Sequence, residues 1–163
     1  MSATLLDQEE KVSTMKTYYK NLVINTEGCF HFVDITEQVL GLVKKSNVKD
    51  GMINIHTKHT TTGIIVNEHE PLLLEDMKCT LERLAPQEID YQHNNFKIRT
   101  VNMTSYERPN GHSHCKAVFL RTSETLNIID GELQLGTWQR IFFVELDCSL
   151  TRNISLMIMG LEY

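Results

Sequence analysis

The sequence predicts an α+β domain built mainly of antiparallel strands: a two-layer β-sandwich, jelly-roll-like, with about two flanking helices. Three observations predict it. Short runs rich in β-branched and aromatic residues recur along the chain, most densely in its last third. Asp130-Gly131 separates two such runs at two-residue hairpin spacing. Only two segments carry a helical apolar period, and they do not alternate with strands in βαβ fashion, which excludes a doubly wound dinucleotide fold.

The elements follow in order. Residues 1–15 lack periodicity and read as a flexible tail, leaving 16–163 as one domain. "TYYKNLVI", Thr17 to Ile24, reads as a strand, and Cys29 to Val33 as a short second one. A helix opens at Asp34 with Glu37 three residues on, a capping-box pattern, and Ile35, Val39, Leu40 and Val43 form its stripe. It ends near Ser46, and Asp50-Gly51 supplies a turn. "MINIHT" and "GIIVNE" read as strands on either side of a threonine run. A second helix starts near Pro71, with Glu68 and Glu70 suited to its positive end; Leu73, Met77, Leu81 and Leu84 share a face, and Pro86 closes it. Asp90 to Pro109 is a long polar loop of the kind that often carries function. Beyond it "HCKAVFLR", the Asp130-Gly131 hairpin, "QRIFFVELD" and "NISLMIMG" read as strands.

Composition narrows the function classes. The 163 residues carry a net charge of -5, so no overall field favours nucleic acid or an anionic membrane, and a bound phosphate must be held locally. No apolar run reaches membrane-spanning length, and the polar, acidic N-terminus is unlike a signal peptide. The four cysteines lack a C-x-x-C pair, which suits buried, reduced thiols in the cytoplasm. Trp138 is expected in the core or at an interface.

Polar residues intrude where strands ought to be plainer. Reading "NGHSHCKAVFL" as a strand puts His112 and His114 on one face at a rim or cavity. His59 precedes the threonine run, whose hydroxyls and N–H groups could cradle a phosphate, as Thr60 and Thr61 would. In "QRIFFVELD", Gln139, Glu145 and Asp147 share a face with Ile141 and Phe143. Imidazoles from two segments meeting acids from another suit a zinc-type ion, so His59, His112 and His114 form a candidate metal set. Glu68 is the first choice as general base or ligand orienter and Glu145 the second, with Asp147 beside it. An ordinary solvated face is the plain alternative for the histidine pair. His56 and His59 would point to opposite faces of a strand, and His69 and His93 read as surface residues.

Taken together and in order, "HTTTGIIVNEHEP", "NGHSHCKAVFL" and "IIDGELQLGTWQRIFFVELD" resemble the YjbQ-like family, also called the secondary thiamine-phosphate synthase family, from about Thr17 to Gly160. The motif elements fall on His59, Thr60, Thr61, Asn67 and Glu68; on Asn110, Gly111, His112 and His114; and on Gly136 to Gln139 with Glu145 and Asp147. The resemblance implies a β-rich sandwich with flanking helices, assembled as a homotrimer with sites near subunit boundaries. It also implies coupling of a pyrimidine diphosphate to a thiazole phosphate, with release of pyrophosphate. That chemistry asks for a divalent metal, zinc-like at the histidine set or magnesium with the diphosphate, and for basic groups, here Lys116, Arg140 and Arg152. Asn67, Asn110 and Gln139 complete the expected substrate contacts. The chain departs from the pattern at Asn67-Glu68-His69-Glu70-Pro71, at Cys115 and at "CSLTRN", where Arg152 stands nearly alone. The alternatives to a transferase are a metal-dependent hydrolase and a non-catalytic homotrimer holding a small ligand or anion.

Overall fold

The computed structural model describes residues 14–162. Eight strands form two antiparallel sheets. Strands β1 (Thr14–Asn25), β3 (Asp50–Thr57), β5 (Ser123–Ile129), β6 (Glu132–Leu133) and β8 (Thr151–Glu162) make a five-stranded sheet in the order β1-β8-β3-β5-β6. Strands β2 (His31–Asp34), β4 (Thr62–Glu68) and β7 (Gln139–Glu145) make a three-stranded sheet in the order β2-β7-β4. The helices are α1 (Thr36–Ser46), α2 (Pro71–Leu84) and α3 (Gly111–Ala117), with a single 3-10 turn at Gln92–Asn94. The fold is thus α+β and mainly antiparallel, as the sequence predicts. Most of the expected tail lies outside the described residues, but Thr14 and Met15 are already strand, paired with Glu162 and Leu161.

Strand β7 explains the layering. Ile141 and Phe143 join Ile53, Ile55, Ile154, Ile158 and the Val39–Val43 stripe of α1 in the main core. The intervening Phe142 and Val144 join Leu146, Leu81 of α2 and, partly buried beside them, Leu120 in a second core. A strand covered on both faces reads as an unbroken apolar run, which is why "IFFV" shows no alternation. Burying a side chain of this size contributes about 1.5–3 kcal/mol, so these two layers hold β7 rigidly. Its C-terminal end, Glu145, is where the polar residues begin.

Local chemistry sets the boundaries. Glu70 caps α2 by accepting hydrogen bonds from the N–H groups of Leu72 (2.9 Å) and Leu73 (2.7 Å), with Pro71 as first helical residue. Asp130 and Gly131 both have positive φ, 53° and 81°, as the two-residue hairpin turn requires. Three expectations fail. Asp34 does not close a capping box: it accepts from Thr36 N–H (3.0 Å), while Glu37 pairs with Arg140. Asp50-Gly51 is not a turn but the start of β3, facing Gly160, and a Cβ at Gly51 would collide with the Met159 carbonyl.

The third failure matters most: "HCKAVFLR" is not a strand. Its first four residues complete α3, whose buried residues His112, Ser113 and Lys116 have helical spacing. The β-branched and aromatic tail, Val118 and Phe119, lies beyond the helix and is exposed. Packing of a short helix between α2, β4 and the 3-10 turn overrides the strand-like composition.

Candidate functional site

Two polar clusters flank the end of β7. The first is a buried ion pair. Arg152 Nε donates to Glu145 Oε2 (2.6 Å), and its Nη2 donates to Glu145 Oε1 (2.7 Å) and to Thr61 Oγ1 (3.0 Å). Glu145 is fully buried, and it also accepts from Thr26 Oγ1, Leu146 N–H and Asp147 N–H. Its oxygens are therefore occupied, and it is no free base. His59 sits in the turn between β3 and β4, where Nε2 accepts from Asn153 N–H (3.0 Å). Burial first, then Arg152, holds its pKa below the ordinary 6.5.

The second cluster surrounds α3. Asn110, which precedes the helix, donates from Nδ2 to Asp147 Oδ2 (3.0 Å). Arg108 also approaches Asp147 Oδ2, at 3.5 Å, and contacts Cys148 Sγ. His112 is buried, its Nε2 3.2 Å from Ser113 Oγ. Burial and the nearby Lys116 keep its imidazole neutral to lower pH than usual, against an opposing pull from Asp147 and Glu82. Lys116 is fully buried, its Nζ 2.9 Å from Glu82 Oε2 and 5.2 Å from the centre of the Phe30 ring. Phe30 holds that ring from a left-handed backbone (φ 59°), a conformation bulky residues rarely adopt. Cys29, Phe30, Glu82, Arg83, Pro86 and Gln87 line a groove of about 840 Å³ beside it. On the far side of α3 the His114 ring meets His93, with ring centres 4.5 Å apart.

The predicted residues therefore separate. Residues two apart on a helix point about 200° apart, so His112 and His114 do not share a face. His112 answers to Lys116, Asp147 and Glu82, His114 to His93, Asp147, Arg99 and Glu107, and His59 to Arg152, Glu145 and Lys58. The strand expected to put His112 and His114 on one face is a helix, and among the described residues of a single chain no three His, Cys, Asp or Glu side chains gather to hold a metal. Glu68 and Gln139 pair at one end of the β4–β7 ladder, while Thr62 and Glu145 pair at the other. Six residues at roughly 3.3 Å each put those ends about 20 Å apart, so Glu68 and Asn67 cannot serve His59 or His112 within one chain. Gln139 closes its own turn by accepting from Gly136 N–H (2.8 Å), and Arg140 binds Asp34 and Glu37 at that far end.

Sequence reasoning missed His93, Glu82 and Arg108. His93 read as a surface residue, yet its Nε2 is buried without a partner. Its place between Tyr91 and two asparagines gives no periodic signal. Among the described residues only three buried side-chain polar atoms lack a partner: His93 Nε2, Asn110 Oδ1 and Lys116 Nζ, which has only its ion contact with Glu82. Lys116 and Asn110 belong to α3 or its cap, and His93 packs on α3. Native interiors rarely leave such groups unpaired.

Comparison with known proteins places this arrangement. A family model described as UPF0047 protein YjbQ-like matches residues 20–161. A UPF0047 protein of Methanothermobacter thermautotrophicus is 35% identical over 90% of this chain and 94% of its own. YugU of Bacillus subtilis, another UPF0047 protein, is 29% identical over 86% of this chain and 98% of its own. A crystal structure of a protein of unknown function from Sulfolobus solfataricus superposes with a TM-score of 0.81 at 34% identity, covering 90% of this chain and 99% of that one. An uncharacterized Clostridium acetobutylicum protein gives 0.73 at 33% identity, over 85% and 98%.

Proposed function

The chain belongs to the YjbQ-like UPF0047 family, and from that premise we propose that it is an enzyme acting on a small phosphorylated metabolite at α3, in a thiamine-phosphate synthase-like transfer that releases pyrophosphate. One observation carries this reading: Asn110 Oδ1, buried without a partner, and Lys116 Nζ, buried with only its ion contact to Glu82, both belong to α3 or its cap. An interior that leaves buried polar groups of one helix so thinly paired is built to receive a polar molecule. The neighbouring groove of about 840 Å³ is large enough for a heteroaromatic ring and its phosphate.

The roles follow from the surroundings. Asp147, whose Oδ2 is oriented by Asn110 and Arg108, is the carboxylate placed to handle a proton or a developing positive charge. His112, buried and kept neutral, is the companion base. Arg108, half exposed, is the cation free to neutralise a departing diphosphate, with Lys116 behind it. Glu145 and Arg152 hold the end of β7 in place. A magnesium-type ion, if diphosphate chemistry uses one here, would be supplied with the substrate and would neutralise the departing diphosphate alongside Arg108.

The site is proposed to lie at a subunit boundary of a homotrimer. Next to α3, Val118 is 80% exposed and Phe119 55%, apolar side chains that a lone chain leaves in water. The free state of all four cysteines supports a cytoplasmic location, although none is buried as expected: Cys79 and Cys115 are exposed, Cys29 and Cys148 partly so. No helix among the described residues is long and apolar enough to cross a membrane. The test supplies the pyrimidine diphosphate, the thiazole phosphate and magnesium, and follows pyrophosphate release. Turnover that falls at least about a hundredfold in His112→Ala and in Asp147→Asn supports the reading. Turnover unchanged in both, or absent from the wild-type protein, overturns it.

A further inference from the structure

We infer that His93 and His114, with the side-chain oxygen of Asn110, form a binding site for a borderline-soft divalent cation such as zinc. The site is distinct from the three-histidine set that the sequence suggests; it shares Asn110 with the proposed transferase site but requires no turnover. The two rings lie 4.5 Å apart at 59°. A zinc-type ion with bonds of about 2.0–2.1 Å at tetrahedral angles holds two ligating nitrogens roughly 3.3 Å apart and their ring centres roughly 5.2 Å apart. The observed pair is roughly 0.7 Å closer than that, so a slight parting of the rings admits the ion.

Three further observations converge. His93 Nε2 is buried with no partner, so a ring nitrogen is available. Asn110 holds the N-cap position of α3, one turn before His114, whose N–H donates to the Asn110 carbonyl (3.3 Å). The Asn110 amide is fixed by its bond to Asp147, which leaves Oδ1 buried and unpaired as a third donor. Two imidazoles and an amide oxygen leave positions open for water or for a ligand's oxygen.

The backbone is fitted to the same purpose. Gly111 N–H donates to Asn94 Oδ1 (2.9 Å), tying the 3-10 turn that carries His93 to the start of α3. A Cβ at Gly111 would stand 2.5 Å from Tyr91 Cβ and 3.1 Å from Asn94 Oδ1. Only glycine lets the two segments approach closely enough for the rings to meet. Arg99, bonded to the His93 carbonyl (3.4 Å) and to Glu107 (3.1 Å), braces the turn from behind.

The experiment titrates the metal-free full chain with Co(II) and with Zn(II) alone, read by visible absorption and calorimetry without substrate. The expected result is one equivalent bound per chain, with His93→Ala and His114→Ala each weakening affinity at least about tenfold. His59→Ala and His112→Ala change it by less than about twofold, because their rings face Asn153 and Ser113. Gly111→Ala, which removes no donor, also weakens uptake. Melting curves of each metal-free variant confirm folding, and His93→Gln replaces the alanine variant should that one unfold. Wild-type protein that binds neither metal, or uptake that survives loss of both rings, overturns the site. Because no substrate is present, this outcome is independent of whether pyrophosphate is released.

Discussion

Replacing Arg152 with methionine should be among the most damaging single changes in the chain. The substitution keeps much of the side-chain volume but leaves Glu145, fully buried, facing only the Thr26 hydroxyl and two backbone N–H groups. Removing one partner of a buried pair typically costs about 3–5 kcal/mol. For a domain of this length each kcal/mol shifts the melting temperature by about 2–4 °C, which gives a fall of roughly 6–20 °C. The double variant Arg152→Met with Glu145→Gln should recover most of the loss. The glutamine oxygen can still accept from Leu146 and Asp147, and its amide can donate to Thr26, so no charge and no backbone donor is stranded. Glu145→Met in place of glutamine should recover less, because the Asp147 N–H then has no acceptor. The assay is thermal and urea unfolding of all four proteins at pH 7.5. A fall of less than about 2 °C for Arg152→Met, or a glutamine double variant less stable than Arg152→Met, refutes the assignment of this pair as the clamp on β7.

Other outcomes follow from the same geometry. Burial holds His59, His112 and His114 below 6.5, so the unfolded chain takes up protons there that the folded chain refuses. Stability should therefore be full above about pH 7 and decline as pH falls through 6.5, and His112→Gln should flatten that decline. Glu68→Gln should leave both melting temperature and pyrophosphate release unchanged if the site lies within one chain, since Glu68 is at the far end of the β4–β7 ladder. A large loss of turnover would show that a second subunit brings Glu68 to α3. Gly51→Val should destabilise by at least about 2 kcal/mol in urea unfolding, because its Cβ has no space against the β8 backbone. Asp34→Asn should matter most near neutral pH. The bonds from Thr36, Arg140 and His69 outweigh burial and hold this carboxylate below its usual range, so its contribution disappears on acidification below about 3.8.

Much of the fold was legible because it rests on local rules. Pro71 and Glu70 announced α2, Asp130-Gly131 announced its hairpin, and the apolar runs of β7 and β8 announced buried strands. Each of these is decided within a few residues. The segment around His112 was misread because Val118 and Phe119 gave it a strand's composition, while the glycine, alanine and lysine before them fold as helix against α2. Gly51 was misread because its reason lies across the sheet, in Gly160 and Met159, and not in its own neighbours.

By itself the sequence determined which residue types were available: imidazoles, carboxylates and basic groups in three separated stretches, on a mainly antiparallel scaffold. Only the tertiary structure decided which of them meet. Strand register sent Glu68 and Glu145 to opposite ends of one ladder, and helical geometry turned His112 away from His114. Packing against the 3-10 turn brought in His93, which no spacing rule had linked to α3. The physical reason is that side-chain direction depends on backbone period. A period of 2 and a period of 3.6 assign the same residues to different faces, and long-range burial chose between them.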